Sequence, residues 1–214
     1  TAVGYESLHL NTTGEQNTTL GAYSLDHSTT GSRNVGIGYN ALAASTTAND
    51  NTAVGTNALR LNTTGADNVA VGGNVLDANT TASYNSALGY NSLGLNTTGP
   101  KNTAVGYNSL AANTTGGENV AIGYEALSAN TTGGANVGVG EKALWSNTTG
   151  TNNIAIGRDA MKLGTTSSFN TIIGWRAGYN HTTGNAYNTA LGYQALYANT
   201  TGSANTAVGS FCLD

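Results

Sequence analysis

A glycine preceded by an aliphatic residue returns along this chain at an almost constant interval. The glycines are Gly4, Gly21, Gly38, Gly55, Gly72, Gly89, Gly106, Gly123, Gly140, Gly157, Gly174, Gly192 and Gly209. Eleven of the twelve intervals are 17 residues, and the one before Gly192 is 18. Self-similarity at a fixed short period is the signature of stacked repeats, each of which buries its apolar residues only against its neighbours. No linker or shift of composition interrupts the array, so residues 1–214 form a single repeat domain. The chain opens inside a motif, at Thr1-Ala2-Val3-Gly4, which suggests a segment of a longer fibre or a filament subunit.

Let each repeat be numbered so that this glycine is position 17. Position 16 is Leu, Ile or Val in every copy, position 15 is nearly always Ala or Gly, and position 14 is mostly Thr or Val. A short β-branched run with period two reads as a strand, with positions 14 and 16 on one face and 15 on the other. Position 4 is nearly always Leu, from Leu8 to Leu196, with Met161 and Gly178 as departures. The expectation is that positions 4 and 16 supply the core from two short strands. The small residues at position 15 would then form a smooth outer face for a second subunit. Asn-Thr-Thr-Gly at positions 7–10, as in Asn96-Thr97-Thr98-Gly99, fits a turn with positive φ. Thirty glycines, and no apolar run at helical spacing, argue against helices. The predicted fold is therefore an all-β parallel β-solenoid, a β-roll of about 12 coils of 17 residues. Two large aliphatics per coil make a thin core. Burial of that size does not match the entropy of ordering a coil, so a trimer or a stacked fibre is expected.

Catalytic chemistry finds no foothold. Gly36-Ile37-Gly38-Tyr39-Asn40-Ala41 mimics a dinucleotide fingerprint, but no crossover helix follows it. His9, His27 and His181 fall in distant coils and read as solvent-facing turn residues. Asp50 and Asp67 stack at position 12 and are the one weak metal candidate, but Tyr84 and Lys101 end that row. No cofactor is expected. The single cysteine, Cys212, occupies a small-residue slot and excludes an internal disulfide. Only 8% of residues are charged and the net charge is −4, which argues against nucleic acid; no segment suits membrane insertion.

Four ladders could carry a role. Tyr90, Tyr107 and Tyr124 share position 1 in consecutive coils and could dock sugar rings or another surface. Asn62, Asn79, Asn96, Asn113, Asn130 and Asn147 lie in Asn-x-Thr acceptors for glycosylation, although glycans on every coil would clash. Position 13 is Asn throughout: Asn17, Asn34, Asn51, Asn68, Asn85, Asn102, Asn119, Asn136, Asn153, Asn170, Asn188 and Asn205. That row reads as structural, with amides bonding up and down the stack. The Thr-Thr pairs suggest an ice-binding surface, except that adjacent threonines cannot both point outward from a strand.

Asn119-Val120-Ala121-Ile122-Gly123 and Asn85-Ser86-Ala87-Leu88-Gly89 resemble the repeat of trimeric autotransporter adhesin heads of the YadA type. The longer unit Asn102-Thr103-Ala104-Val105-Gly106-Tyr107-Asn108-Ser109-Leu110 is similar to repeats in phage tail fibres. The resemblance implies a left-handed roll, a homotrimer, and a structural extracellular or virion fibre with a surface-attachment role. A host-surface glycan is the implied partner. An end-to-end filament or matrix protein, and an ice-binding solenoid, stand as alternatives.

Overall fold

The computed structural model describes residues 1–184 and 186–213. Thirteen strands, from β1 (Ala2–Val3) to β13 (Thr206–Val208), each two or three residues long, form one sheet in chain order. Every pairing is parallel and in register: Ala87 lies beside Ala104, and Ala104 beside Ala121. The protein is a β-solenoid with one strand per coil, and no helix occurs among the described residues.

Backbone bonding does not stop at the strand ends. Val35 N donates to Asn51 O (2.8 Å), Leu25 N to Ala41 O (3.0 Å), Thr29 N to Thr46 O (2.9 Å) and Gly38 N to Leu20 O (2.8 Å). Each coil is thus tied to its neighbours around most of its circumference. The 17-residue beat is what keeps these partners opposite one another.

Two sequence expectations are corrected by the corners. Position 4 lies not in a second strand but in a bend, with left-handed φ: Leu93 at 52°, Leu110 at 50° and Leu127 at 52°. Positions 2 and 12 are left-handed too, as at Asn108 (53°) and Lys101 (59°). By contrast, the position-10 glycine of the Asn-Thr-Thr-Gly segment has no positive φ. That bend is set by a side chain instead, for Asn96 Nδ2 donates to Gly99 O at 3.0 Å.

A further correction turns the sheet inside out. Position 15 points into the coil: Ala53, Ala70, Ala104, Ala121 and Ala155 are fully buried. The aliphatics at position 16 point outward, with Leu20 51%, Leu88 50% and Val208 64% exposed. The reason is room. The interior is filled by the position-4 column, Leu25 through Met161, each fully buried. A Cβ on Gly36 would already stand 2.7 Å from Leu25 Cδ1, so nothing much larger than Ala fits beside the leucine. The exception supports this account. Position 15 is Ile172 where position 4 is Gly178, and a Cβ on Gly178 would meet Ile172 Cγ2 at 3.2 Å. The isoleucine fills the volume that the missing leucine vacates. The 18-residue interval is absorbed before Ala186, whose carbonyl accepts from Ala204 N in the ordinary register.

Candidate functional site

Two asparagine ladders run inside the rod. At position 13, Asn119 N and Nδ2 both donate to Asn102 Oδ1 (2.9 and 3.1 Å), and Asn119 Nδ2 also reaches Gly133 O at 2.9 Å. Asn136 repeats the set on Asn119. Position 7 forms a second ladder: Asn113 Nδ2 donates to Asn96 Oδ1 (2.8 Å) and to Gly116 O (2.9 Å). Asn62, Asn79, Asn96, Asn113, Asn130 and Asn147 are fully buried, so the glycosylation reading is corrected. Their amide nitrogens face the coil interior and already hold hydrogen bonds. A folded coil gives a transferase no access to them.

The threonine pairs divide their work. At position 8 the hydroxyl is spent within the rod, as Thr97 Oγ1 donates to Thr114 O at 2.9 Å. At position 9 the residue is exposed in every coil, from Thr13 to Thr201. The outer surface therefore carries a single file of threonines.

The tyrosine column is real, but most of its ring faces are occupied. Tyr90 and Tyr107 stack at 5.8 Å between centroids, and Tyr107 and Tyr124 at 5.4 Å with 9° between planes. Lys142 Nζ lies 5.7 Å from the Tyr124 ring centroid and so closes that end of the column. Edges, hydroxyls and the Tyr90 face turned away from Tyr107 remain for a partner. The Glu125 carboxylate beside Tyr124 holds its phenol above the usual value.

Asp50 and Asp67 do not converge on a metal. Asp50 accepts a bidentate pair from Arg33 (2.6 and 2.7 Å) on the other side, which lowers its pKa. Among the described residues no cluster of three or more His, Cys, Asp or Glu could hold an ion. Cations instead gather near Asp159, whose side chain is 5% exposed: Lys162 Nζ approaches its carboxylate at 2.8 Å, and Arg158 and Arg176 at 3.7 and 3.8 Å. The hydrogen bond to Asp159 raises the Lys162 pKa. Lys162 and Arg176 also lie over aromatic rings of Trp145, Trp175 and Tyr179. This cluster braces the rod across coils 9–11. Cys212 is half-buried against the end of the core.

Beside the tyrosine column the coil surface thins. Gly94, Ala111, Ala112, Ser128 and Ala129 fill five of the six places at positions 5 and 6 in three consecutive coils, and Leu95 fills the sixth. The resulting groove, about 390 Å³, is lined by Asn91, Leu95, Asn108, Ala111, Ala112, Glu125, Ser128 and Trp145.

The chain matches no protein-family model, no curated protein and no solved structure. Among the described residues no helix is long and apolar enough to cross a membrane.

One histidine departs from its sequence reading. His9 and His27 are exposed, with Asp26 3.6 Å from each ring, but His181 is only 2% exposed. It stands at position 7, where most other coils place the inner asparagine, and neither ring nitrogen has a hydrogen-bond partner among the described residues. Burial lowers its pKa below the ordinary 6.5. The imidazole therefore stays neutral in the fold, while the unfolded chain protonates near its ordinary value. The stability difference is absent above about pH 6.5 and grows as pH falls toward the lowered native value, destabilising the rod in acid. The expected result is a melting temperature that drops between pH 7 and 5. In His181→Asn this component of the pH dependence disappears, as differential scanning calorimetry would show.

Proposed function

We propose that this protein is a structural rod, a segment of an extracellular or virion fibre with a surface-attachment role, which assembles with copies of itself. One observation carries the reading: the outward aliphatic face. Positions 14 and 16 present Val69, Leu88, Ile122, Ile154, Ile156 and Leu191 to solvent, each at least 37% exposed, on the same side of one continuous sheet. At the usual strand spacing of ~4.8 Å the thirteen strands make a face about 60 Å long. An apolar surface of that length and two side chains wide exceeds the few hundred Å² that soluble monomers ordinarily expose. It approaches the roughly 800 Å² per partner of a stable interface.

The same face accounts for the thin core. With little more than one alanine and one leucine of apolar side chain inside most coils, a second layer of apolar burial has to come from outside. Three chains with these faces turned inward is the arrangement that the resemblance to adhesin heads implies. The inside-out sheet moves the contact from the small residues of position 15 to the aliphatics of positions 14 and 16.

The test is the solution mass. Light scattering is expected to give three times the chain mass. A Val105→Lys/Ile122→Lys double variant, on adjacent strands of the outer face, is expected to give single chains with an unchanged far-ultraviolet circular dichroism spectrum. A wild-type monomer would remove the reading.

A further inference from the structure

We propose that the groove between the tyrosine column and Trp145 is a binding site for a short neutral oligosaccharide. This names the partner for the attachment role above and rests on that reading.

The first argument is shape. In coil 4 the outer positions 5 and 6 carry Arg60 and Leu61, and in coil 9 position 5 is Trp145. Asp77 in coil 5 pairs with Arg60, and beyond it the floor between Leu95 and Trp145 drops to alanine and serine along the rod axis. Three coils at ~4.8 Å give a trough of about 14 Å, the length of two to three pyranose rings. The sides do not collapse onto it, because every backbone segment beneath is locked in the coil ladder, as by Leu110 N to Ala126 O at 3.0 Å.

The second argument is chemistry. Trp145 closes one end and is 37% exposed, with Lys162 Nζ 6.0 Å from its ring centroid. A large, part-exposed ring at the end of a trough offers an aromatic surface for the C–H side of a sugar. One wall is a polar rail: Asn91, Asn108 and Glu125 occupy position 2 of three successive coils and line the groove together. Asn91 Nδ2 donates to Asn108 Oδ1 at 2.9 Å, and the Asn108 side-chain amide N–H groups make no hydrogen bond among the described residues. Glu125 supplies acceptors at the next step. An amide donor at Asn108 followed one coil on by a carboxylate acceptor at Glu125 suits vicinal hydroxyls. The Glu125 charge is answered by Lys142 at 3.8 Å, so the site is close to neutral and selects an uncharged ligand. Leu95, 58% exposed, gives the opposite end an apolar contact.

The experiment is a titration of the full chain with cellotriose, chitotriose and maltotriose, followed by tryptophan fluorescence. At least one sugar is expected to shift the emission with a dissociation constant of about 1 mM or tighter. Trp175→Phe should keep the shift. Trp145→Ala and Asn108→Ala should weaken binding at least tenfold, by isothermal calorimetry at a temperature where circular dichroism shows each variant folded. Ala111→Leu, which fills the floor and leaves the ring and amides in place, should abolish it. The proposal is overturned if none of the three sugars binds, if binding survives Ala111→Leu, or if only a peptide occupies the groove. The solution mass of the assembly is read separately, so failure of this site and failure of the fibre reading are distinguishable.

Discussion

Gly106→Ala is expected to break the rod into two unequally stable pieces, with a loss above about 3 kcal/mol from backbone strain and collision together. Gly106 has φ of 132°, a region that essentially only glycine occupies. Space is the second barrier: a Cβ there would lie 2.5 Å from the carbonyl oxygen of Gly123 in the next coil. That oxygen belongs to the stack and cannot retreat without moving the coil above. Because each coil contacts only its neighbours, the damage should centre on the junction between β7 (Thr103–Val105) and β8 (Val120–Ile122). Thermal unfolding followed by circular dichroism should become two-stepped or shift sharply down. Hydrogen exchange should accelerate first at Gly106 and its hydrogen-bonded neighbours. Gly73→Ala is the matched control. Gly73 stands at position 1, its φ is not positive, and its Cβ would find only the Tyr90 ring at 3.4 Å. That variant should melt like the parent, and a Gly106→Ala protein that did the same would refute the account of the beat.

Asn119→Ala is the second large effect, expected near 3 kcal/mol. In the fully buried ladder Asn119 Oδ1 accepts from Asn136 N at 3.0 Å and from Asn136 Nδ2 at 3.2 Å. Truncation leaves the Asn136 backbone N–H without a partner in a closed interior, a loss of about 1–3 kcal/mol by itself. The broken side-chain bonds to Asn102 and Gly133 add roughly 1 kcal/mol apiece. Asn152→Ala, at an exposed asparagine one residue from the ladder in its own coil, should cost no more than about 1 kcal/mol, from its left-handed φ of 57°. Equal melting temperatures for the two variants in denaturant or heat would show that the inner ladder does not hold the stack together.

Much of the fold could be read from the residues. The glycine interval gave the coil length, and Val-Ala-Ile at positions 14–16 gave the strand that each coil has, whereas the second strand expected around Leu110 and Leu127 is a left-handed bend. The invariant Asn102–Asn119–Asn136 series gave an internal ladder. What misled was the sidedness of the strand. A period of two says that Ala121 and Ile122 lie on opposite faces, and ordinary hydrophobicity favours the isoleucine as the inner one. That inference fails when the enclosed space is only a leucine wide, because Leu127 leaves room for Ala121 and not for Ile122. The same limit hid the second ladder. Asn96 and Asn113 follow a glycosylation motif and look like turn residues, yet the bend turns their amides inward to bond one another. His181 was misplaced for the same reason, since it occupies that inner slot.

The groove had no signal in the sequence beyond small residues at neighbouring positions in three coils. Ala111, Ala112 and Ser128 become a floor only once the coils are stacked. Trp145 becomes a wall because it stands one coil beyond them. The tyrosines at position 1 were legible as a row, but the parallel stacking that hides most of their faces was not.

The sequence by itself determined the repeat, its length and its chain-order stacking, because those follow from local backbone demands: a glycine with φ near 130°, a short β-branched run, and hydrogen bonds between equal positions. Only the tertiary structure decided which side of the strand is inside, which asparagines are buried, and where a partner could lie. Those depend on the width of the closed coil, a property of all seventeen residues together rather than of any one of them.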